Sequence, residues 1–147
     1  MKYLLILSVL ILSACSSTPE IASKSELTDI PKLIKKAQRR YPEGVIGTFQ
    51  IPIKASGNEG GVVFLNSDLD YRDPKNITVL LEPSTIESFT KIYKASPDSY
   101  FINKTIEVRG KVERIKIYRY TKGKRPAKYY FQTHIKVTAV DQISVLN

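Results

Sequence analysis

Lys104-Thr105-Ile106-Glu107-Val108-Arg109-Gly110-Lys111-Val112 decides the fold class of this chain, because apolar and polar residues alternate along it without a break. Ile106, Val108, Gly110 and Val112 fall on one face, and Glu107, Arg109 and Lys111 on the other. That is the period of a half-buried strand. The strand extends from Thr105 to about Tyr120, but past Arg114 its apolar positions become Ile115 and Ile117. A shift of phase by one residue predicts a bulge or bend near Arg114.

The same period recurs on both sides of this stretch. Downstream, Thr121 to Lys128 is a basic loop containing Gly123 and Pro126. A further strand from Tyr129 to Val140 then sets Phe131, Thr133, Ile135 and Val137 against Tyr130, Gln132, His134 and Lys136. Upstream, Asp98 to Lys104 is irregular. Pro83 and Ser84 open a short helix through Tyr93, with Ile86, Phe89, Ile92 and Tyr93 as its apolar face. Asn76 to Leu81 is a strand, Asn66 to Lys75 a polar connection, Gly61 to Leu65 another strand, and Ser56 to Gly61 a turn.

The first strand alternates Val45, Gly47, Phe49, Ile51 and Ile53 with Ile46, Thr48, Gln50, Pro52 and Lys54. Pro52 cannot donate to a ladder, so that end is an edge or a bulge. Before it, Leu27, Ile30, Leu33, Ile34 and Ala37 recur at three- and four-residue spacings, the mark of an amphipathic helix within Glu26 to Arg40. Pro31 fits only a first turn, which starts the helix near Asp29 or Ile30, with Asp29 as its N-cap. Lys35, Lys36, Arg39 and Arg40 suit the last turns, where cations complement the helix dipole. Pro42 and Gly44 end it.

Three strands, a helix and two strands predict a mainly β chain with a five-stranded OB-fold barrel, preceded by the amphipathic helix. Val62-Val63-Phe64-Leu65-Asn66, Tyr71-Arg72-Asp73, Thr78-Val79 and the Lys104–Val112 strand resemble a recurrent bacterial OB-fold domain, found alone or beside nuclease domains. The resemblance covers about Val45 to Val140. It speaks to fold more than to ligand, since such domains bind nucleic acids, sugars and proteins alike.

The amino-terminal end carries a different signal. Lys2 precedes an apolar run from Leu4 to Leu12, too short to span a ~30 Å hydrocarbon core, and Leu12-Ser13-Ala14-Cys15 closes it with the chain's single cysteine. This box resembles the lipobox of bacterial lipoproteins, which implies cleavage before Cys15 and acylation there. The plainer alternative is an ordinary secretory signal with a chance cysteine. The expected organisation is a signal peptide at 1–14, a lipidated tether at 15–25, the helix at 26–43 and the OB-fold domain at 44–147. The resemblance implies an envelope lipoprotein, and Ser16 in place of Asp leans toward the outer membrane, facing the periplasm. With Cys15 acylated, no disulfide supports the folded part.

The formal net charge is +9, and it is unevenly spread. From Cys15 to Asn103 there are 11 basic and 11 acidic residues, whereas Lys104 to Asn147 holds 11 basic residues against Glu107, Glu113 and Asp141. A localised positive field attracts polyanions such as nucleic acid, lipopolysaccharide or acidic glycans. Tyr118, Arg119, Tyr120, Lys122, Lys124, Arg125, Lys128 and Tyr130 interleave cations with rings, as a groove that holds phosphates and stacks bases or sugars requires. The same composition also serves hairpin solubility and protection from edge pairing.

Nothing in the sequence sets up catalysis. The only histidine, His134, lies on the polar side of its strand, and no G-x-S-x-G nucleophile motif is present. Asp68, Asp70 and Asp73 lack the central Gly and closing Glu of a calcium loop and read as turn formers. The expected function is a non-enzymatic binding or adaptor module without cofactor or metal, its basic aromatic hairpin taking an anionic ligand. The alternative is a structural accessory that docks onto an envelope protein complex.

Overall fold

The computed structural model describes residues 27–119 and 128–146. Cys15, the signal segment and the tether lie outside them, as do Tyr120, Lys122, Lys124 and Arg125. The elements are α1 (Ile30–Arg39), β1 (Val45–Pro52), β2 (Ala55–Glu59), β3 (Val62–Asn66), β4 (Ile77–Leu81), α2 (Pro83–Tyr93), α3 (Pro97–Tyr100), β5 (Thr105–Arg119), β6 (Lys128–Val137), a 3-10 turn (Val140–Gln142) and β7 (Ile143–Leu146). No helix among the described residues is long and apolar enough to cross a membrane.

Asp29 caps α1 by accepting the Lys32 amide at 3.0 Å, and Pro31 sits in the first turn, where its missing N–H costs nothing. Leu33, Ile34 and Ala37 form the buried face, while Leu27 precedes the helix and is exposed. Gly44 then turns the chain into β1 at φ +75°, and a Cβ there would meet the Val112 carbonyl oxygen at 2.6 Å. Only glycine fits that approach.

The strands form one seven-stranded mixed sheet, hydrogen-bonded in the order β1-β5-β6-β4-β3-β2, with β7 added to β5. All pairs are antiparallel except β4 with β6. This corrects the expected closed barrel of five strands: the sheet is open, and its path ends at β1 and β2. The cause lies at Pro52-Ile53-Lys54. Pro52 ends the β1–β5 ladder, Ile53 N–H still reaches the Lys104 carbonyl just before β5 at 2.8 Å, and at Lys54 the chain changes neighbour, its N–H bonding to the Asn66 carbonyl of β3 at 2.9 Å. Ser56 to Glu59, expected as a turn, continues as β2 against β3, and only Gly60 and Gly61 turn. Both have positive φ, as a two-residue hairpin demands. The seventh strand, β7, comes from terminal residues that carried no strand assignment.

Of the bulge or bend expected near Arg114, the bulge is absent. The β5–β6 register runs unbroken from Val112↔Ile135 to Arg119↔Lys128. The apolar phase shifts because Ile115 and Ile117 point to the opposite face of the sheet from Ile106, Val108 and Val112. Period-two geometry leaves no other arrangement without a slip.

The core lies on the inner face. Ile106, Val108, Val112, Ile135 and Val137 are fully buried with Val63, Leu65, Val79 and Leu81, and α1 adds Leu33, Ile34 and Ala37. Phe89 of α2 is the centre of an aromatic cluster, stacked on Tyr93 at 4.4 Å and packed against Phe101 at 4.8 Å. Ile92, expected on the buried face of α2, is instead 62% exposed. The buried face of α2 is set by Thr85 and Phe89, and Ile92 lies off it.

Candidate functional site

The outer face of the sheet carries a cleft of about 550 Å³. Its floor is a row of polar side chains set opposite one another by strand register: Asn66 on β3, Thr78 on β4 and His134 on β6. Its apolar walls are Phe64, Ile117 and Tyr130, the last two being direct cross-strand partners. The β2 backbone from Ala55 to Glu59 forms one rim, and Leu69 and Tyr71 of the 67–76 connection another.

The floor is tied down from below. The Thr78 hydroxyl donates to Asn66 Oδ1 at 2.8 Å, and Asn76 Nδ2 donates to Thr78 Oγ1 at 2.9 Å and to Asn66 Oδ1 at 3.2 Å. These three side chains are buried and bonded to one another, which makes the floor rigid. Gln132 Nε2 donates to the Tyr71 carbonyl at 3.1 Å, and its Oε1 lies 2.8 Å from His134 Nε2. Burial lowers the His134 pKa to about 4, so the ring is neutral at physiological pH. It therefore offers hydrogen bonds rather than charge.

The hairpin of β5 and β6 divides its aromatic and cationic residues between two faces. Ile117, Arg119, Lys128 and Tyr130 share the cleft side, and the Arg119 guanidinium lies 5.5 Å from the centre of the Tyr130 ring. Tyr118 pairs with Tyr129 on the other side, their rings 6.2 Å apart. Lys116 Nζ sits 4.5 Å from the Tyr129 ring centre on that side, and Arg114 lies 3.7 Å over Phe131. Of the residues expected to bind ligand, Arg119, Lys128 and Tyr130 are thus brought together. Tyr118 is set apart from them, and Tyr120, Lys122, Lys124 and Arg125 lie outside the described residues.

The sequence assigns none of Phe64, Asn66, Thr78, Gln132 and His134 to ligand binding: it places His134 on the polar side of its strand, and Phe64, Asn66 and Thr78 carry only the OB-fold resemblance. The one available signal was the apolar phase shift at Ile115 and Ile117, which marks an apolar strip on the outer face. Asp68, Asp70 and Asp73 stand where turn formers belong: Asp68 Oδ1 accepts the Leu69 amide, Asp70 Oδ1 the Arg72 amide and Asp73 Oδ1 the Lys75 amide. The Arg72 amide and guanidinium hold the Asp70 carboxyl below its ordinary pKa. Among the described residues no three His, Cys, Asp or Glu side chains gather to hold a metal ion.

No protein-family model matches the chain, and no curated protein matches it. Among solved structures it is similar to an aspartyl-tRNA synthetase from Entamoeba histolytica, at 15% identity and a TM-score of 0.46, over 99% of this chain and 28% of that one. It is also similar to a candidate aspartyl-tRNA synthetase from Leishmania major Friedlin, at 10% identity and a TM-score of 0.44, over 76% of this chain and 19% of that one. The chain spans less than a third of either protein, and likeness at this level assigns no function.

Proposed function

We propose that this chain is a non-enzymatic envelope protein, anchored by lipid at Cys15, whose outer sheet face binds a ligand that carries both a flat ring and negative charge. The observation that supports this reading most directly is the meeting of Arg119 and Tyr130 at the edge of the cleft. Tyr130 gives a base or sugar ring a surface, Arg119 and Lys128 give its phosphate or carboxylate a partner, and Asn66 Nδ2 and His134 give its edge hydrogen bonds. Aromatic surface supplies contact at low entropic cost, and the cations act at longer range. The Leu12-Ser13-Ala14-Cys15 box supports the anchor, and Ser16 supports the outer membrane, with the sheet facing the periplasm.

The full-length, membrane-extracted protein is titrated against single-stranded DNA, lipopolysaccharide and peptidoglycan fragments at low and high salt. Binding of one of them, weakened by Arg119→Gln and Tyr130→Ala, supports the reading. Failure of all three at low salt overturns it and leaves docking onto an envelope protein complex as the remaining role.

A further inference from the structure

We propose that a second cavity, at the edge of β6 that β4 leaves uncovered, binds a phosphate group through Arg114. β4 pairs with β6 only from Thr133 to Val137. Tyr130 to Gln132 therefore have β5 on one side and no strand on the other among the described residues. Gln38 of α1 and the connection from Arg72 to Asn76 cover that edge and enclose about 290 Å³. One water occupies about 30 Å³ of the liquid, so the space admits a phosphate group and part of what carries it.

Arg114 is the reason to expect an anion there. It lines this cavity, and its Nε is buried with no hydrogen-bond partner. No carboxylate among the described residues forms an ion pair with it. Its guanidinium carbon lies 3.7 Å from the centre of the Phe131 ring, a cation–π contact that holds the group beside β6. Arg114 is half-buried and carries a charge with no carboxylate partner among the described residues, and a planar guanidinium fits a phosphate through two parallel hydrogen bonds. Arg72 also lines the space, paired with Asp70 at 3.2 Å. The single acid in the lining is Asp73, whose Oδ1 is taken by the Lys75 amide.

Two neutral polar side chains of the lining, Asn76 and Gln132, are already engaged. Asn76 Nδ2 serves Asn66, Thr78 and the Tyr71 carbonyl, and Gln132 serves Tyr71 and His134. Among the described residues Arg114 is the lining cation without an ion-pair partner, which favours an oxyanion there. This site does not depend on what the outer cleft binds.

The test follows the arginine Nε–H resonances of the full chain as sodium phosphate or glycerol phosphate replaces sodium chloride at constant ionic strength. The expected result is one saturable shift, missing in Arg114→Met and at least about tenfold weaker in Arg114→Lys, the loss expected for a charge-assisted bidentate contact. Asp73→Asn, which keeps the acceptor for the Lys75 amide, binds more tightly because a like charge is gone. Arg109 pairs with Asp141 and lines neither cavity, and Arg109→Gln leaves the titration unchanged. Tighter binding of glycerol phosphate identifies a carried phosphate, and equal binding identifies the free ion. The proposal is overturned if the wild-type protein shows no saturable shift, or if Arg114→Lys and Asp73→Asn bind phosphate as the wild type does.

Discussion

Asn66 and Thr78 face each other across β3 and β4, and the Thr78 hydroxyl donates to Asn66 Oδ1 at 2.8 Å, within 3.2 Å of the Asn76 amide that serves the same oxygen. Two strands and the connection between them thus meet in one buried polar knot beneath the outer cleft. The three share their bonds, so the knot is rigid, and removing one member strands the others.

Thr78→Val keeps the shape of the side chain but leaves Asn66 and Asn76 with unmet groups. The expected cost is about 1–3 kcal/mol, read from urea unfolding. A loss below a few tenths would show that the knot relaxes freely. Thr78→Ser, which keeps the hydroxyl, retains most of the stability.

His134 links stability to pH. Its folded pKa of about 4 lies below the ordinary value of 6.5, because burial disfavours the charged ring. Between these values the unfolded chain binds a proton that the folded one refuses, so stability rises with pH across that window. The contribution is complete above about pH 6.5, declines as pH falls toward 4, and changes no further below it. His134→Gln flattens this part of the profile. An unchanged slope between pH 4 and 6.5 would refute the assignment.

Much of the secondary structure was legible in the sequence because local rules act locally. Asp29, Pro31 and the spacing of Leu33, Ile34 and Ala37 set α1, and strict alternation set the cores of β1, β5 and β6. What failed depended on pairing. Ser56-Gly57-Asn58-Glu59 has a turn's composition and becomes β2 because β3 lies beside it. Ile115 and Ile117 looked like a bulge because the inner face was assumed to be the only apolar one. The cleft was hidden for the same reason, since Asn66, Thr78 and His134 become neighbours only through two ladders, one of them parallel.

Phe89 tests the aromatic cluster between α2 and α3. It is 1% exposed and contacts Tyr93, Tyr100 and Phe101. Phe89→Ala removes a ring that nothing nearby replaces, and the expected loss is about 3–5 kcal/mol. Ile92→Ala, on the exposed side of the same helix, changes stability by less than about 0.5 kcal/mol. Comparable losses in both variants would show that the helix buries a different face.

The two faces of the β5–β6 hairpin make separable predictions for the cleft ligand. Tyr130 and Arg119 share the cleft side, whereas Tyr118 and Tyr129 pair on the other. Tyr130→Ala lowers affinity for single-stranded DNA by about 1–3 kcal/mol at every salt concentration, as loss of a stacked base does. Arg119→Gln acts through charge. It reduces the slope of log affinity against log salt by about 0.7, the value for one phosphate of a single strand, and its effect shrinks as salt rises. Tyr129→Ala, exposed on the far side, leaves affinity and slope unchanged. If Tyr129→Ala weakens binding as much as Tyr130→Ala does, the ligand runs along the far side of the hairpin, and the cleft is not its site.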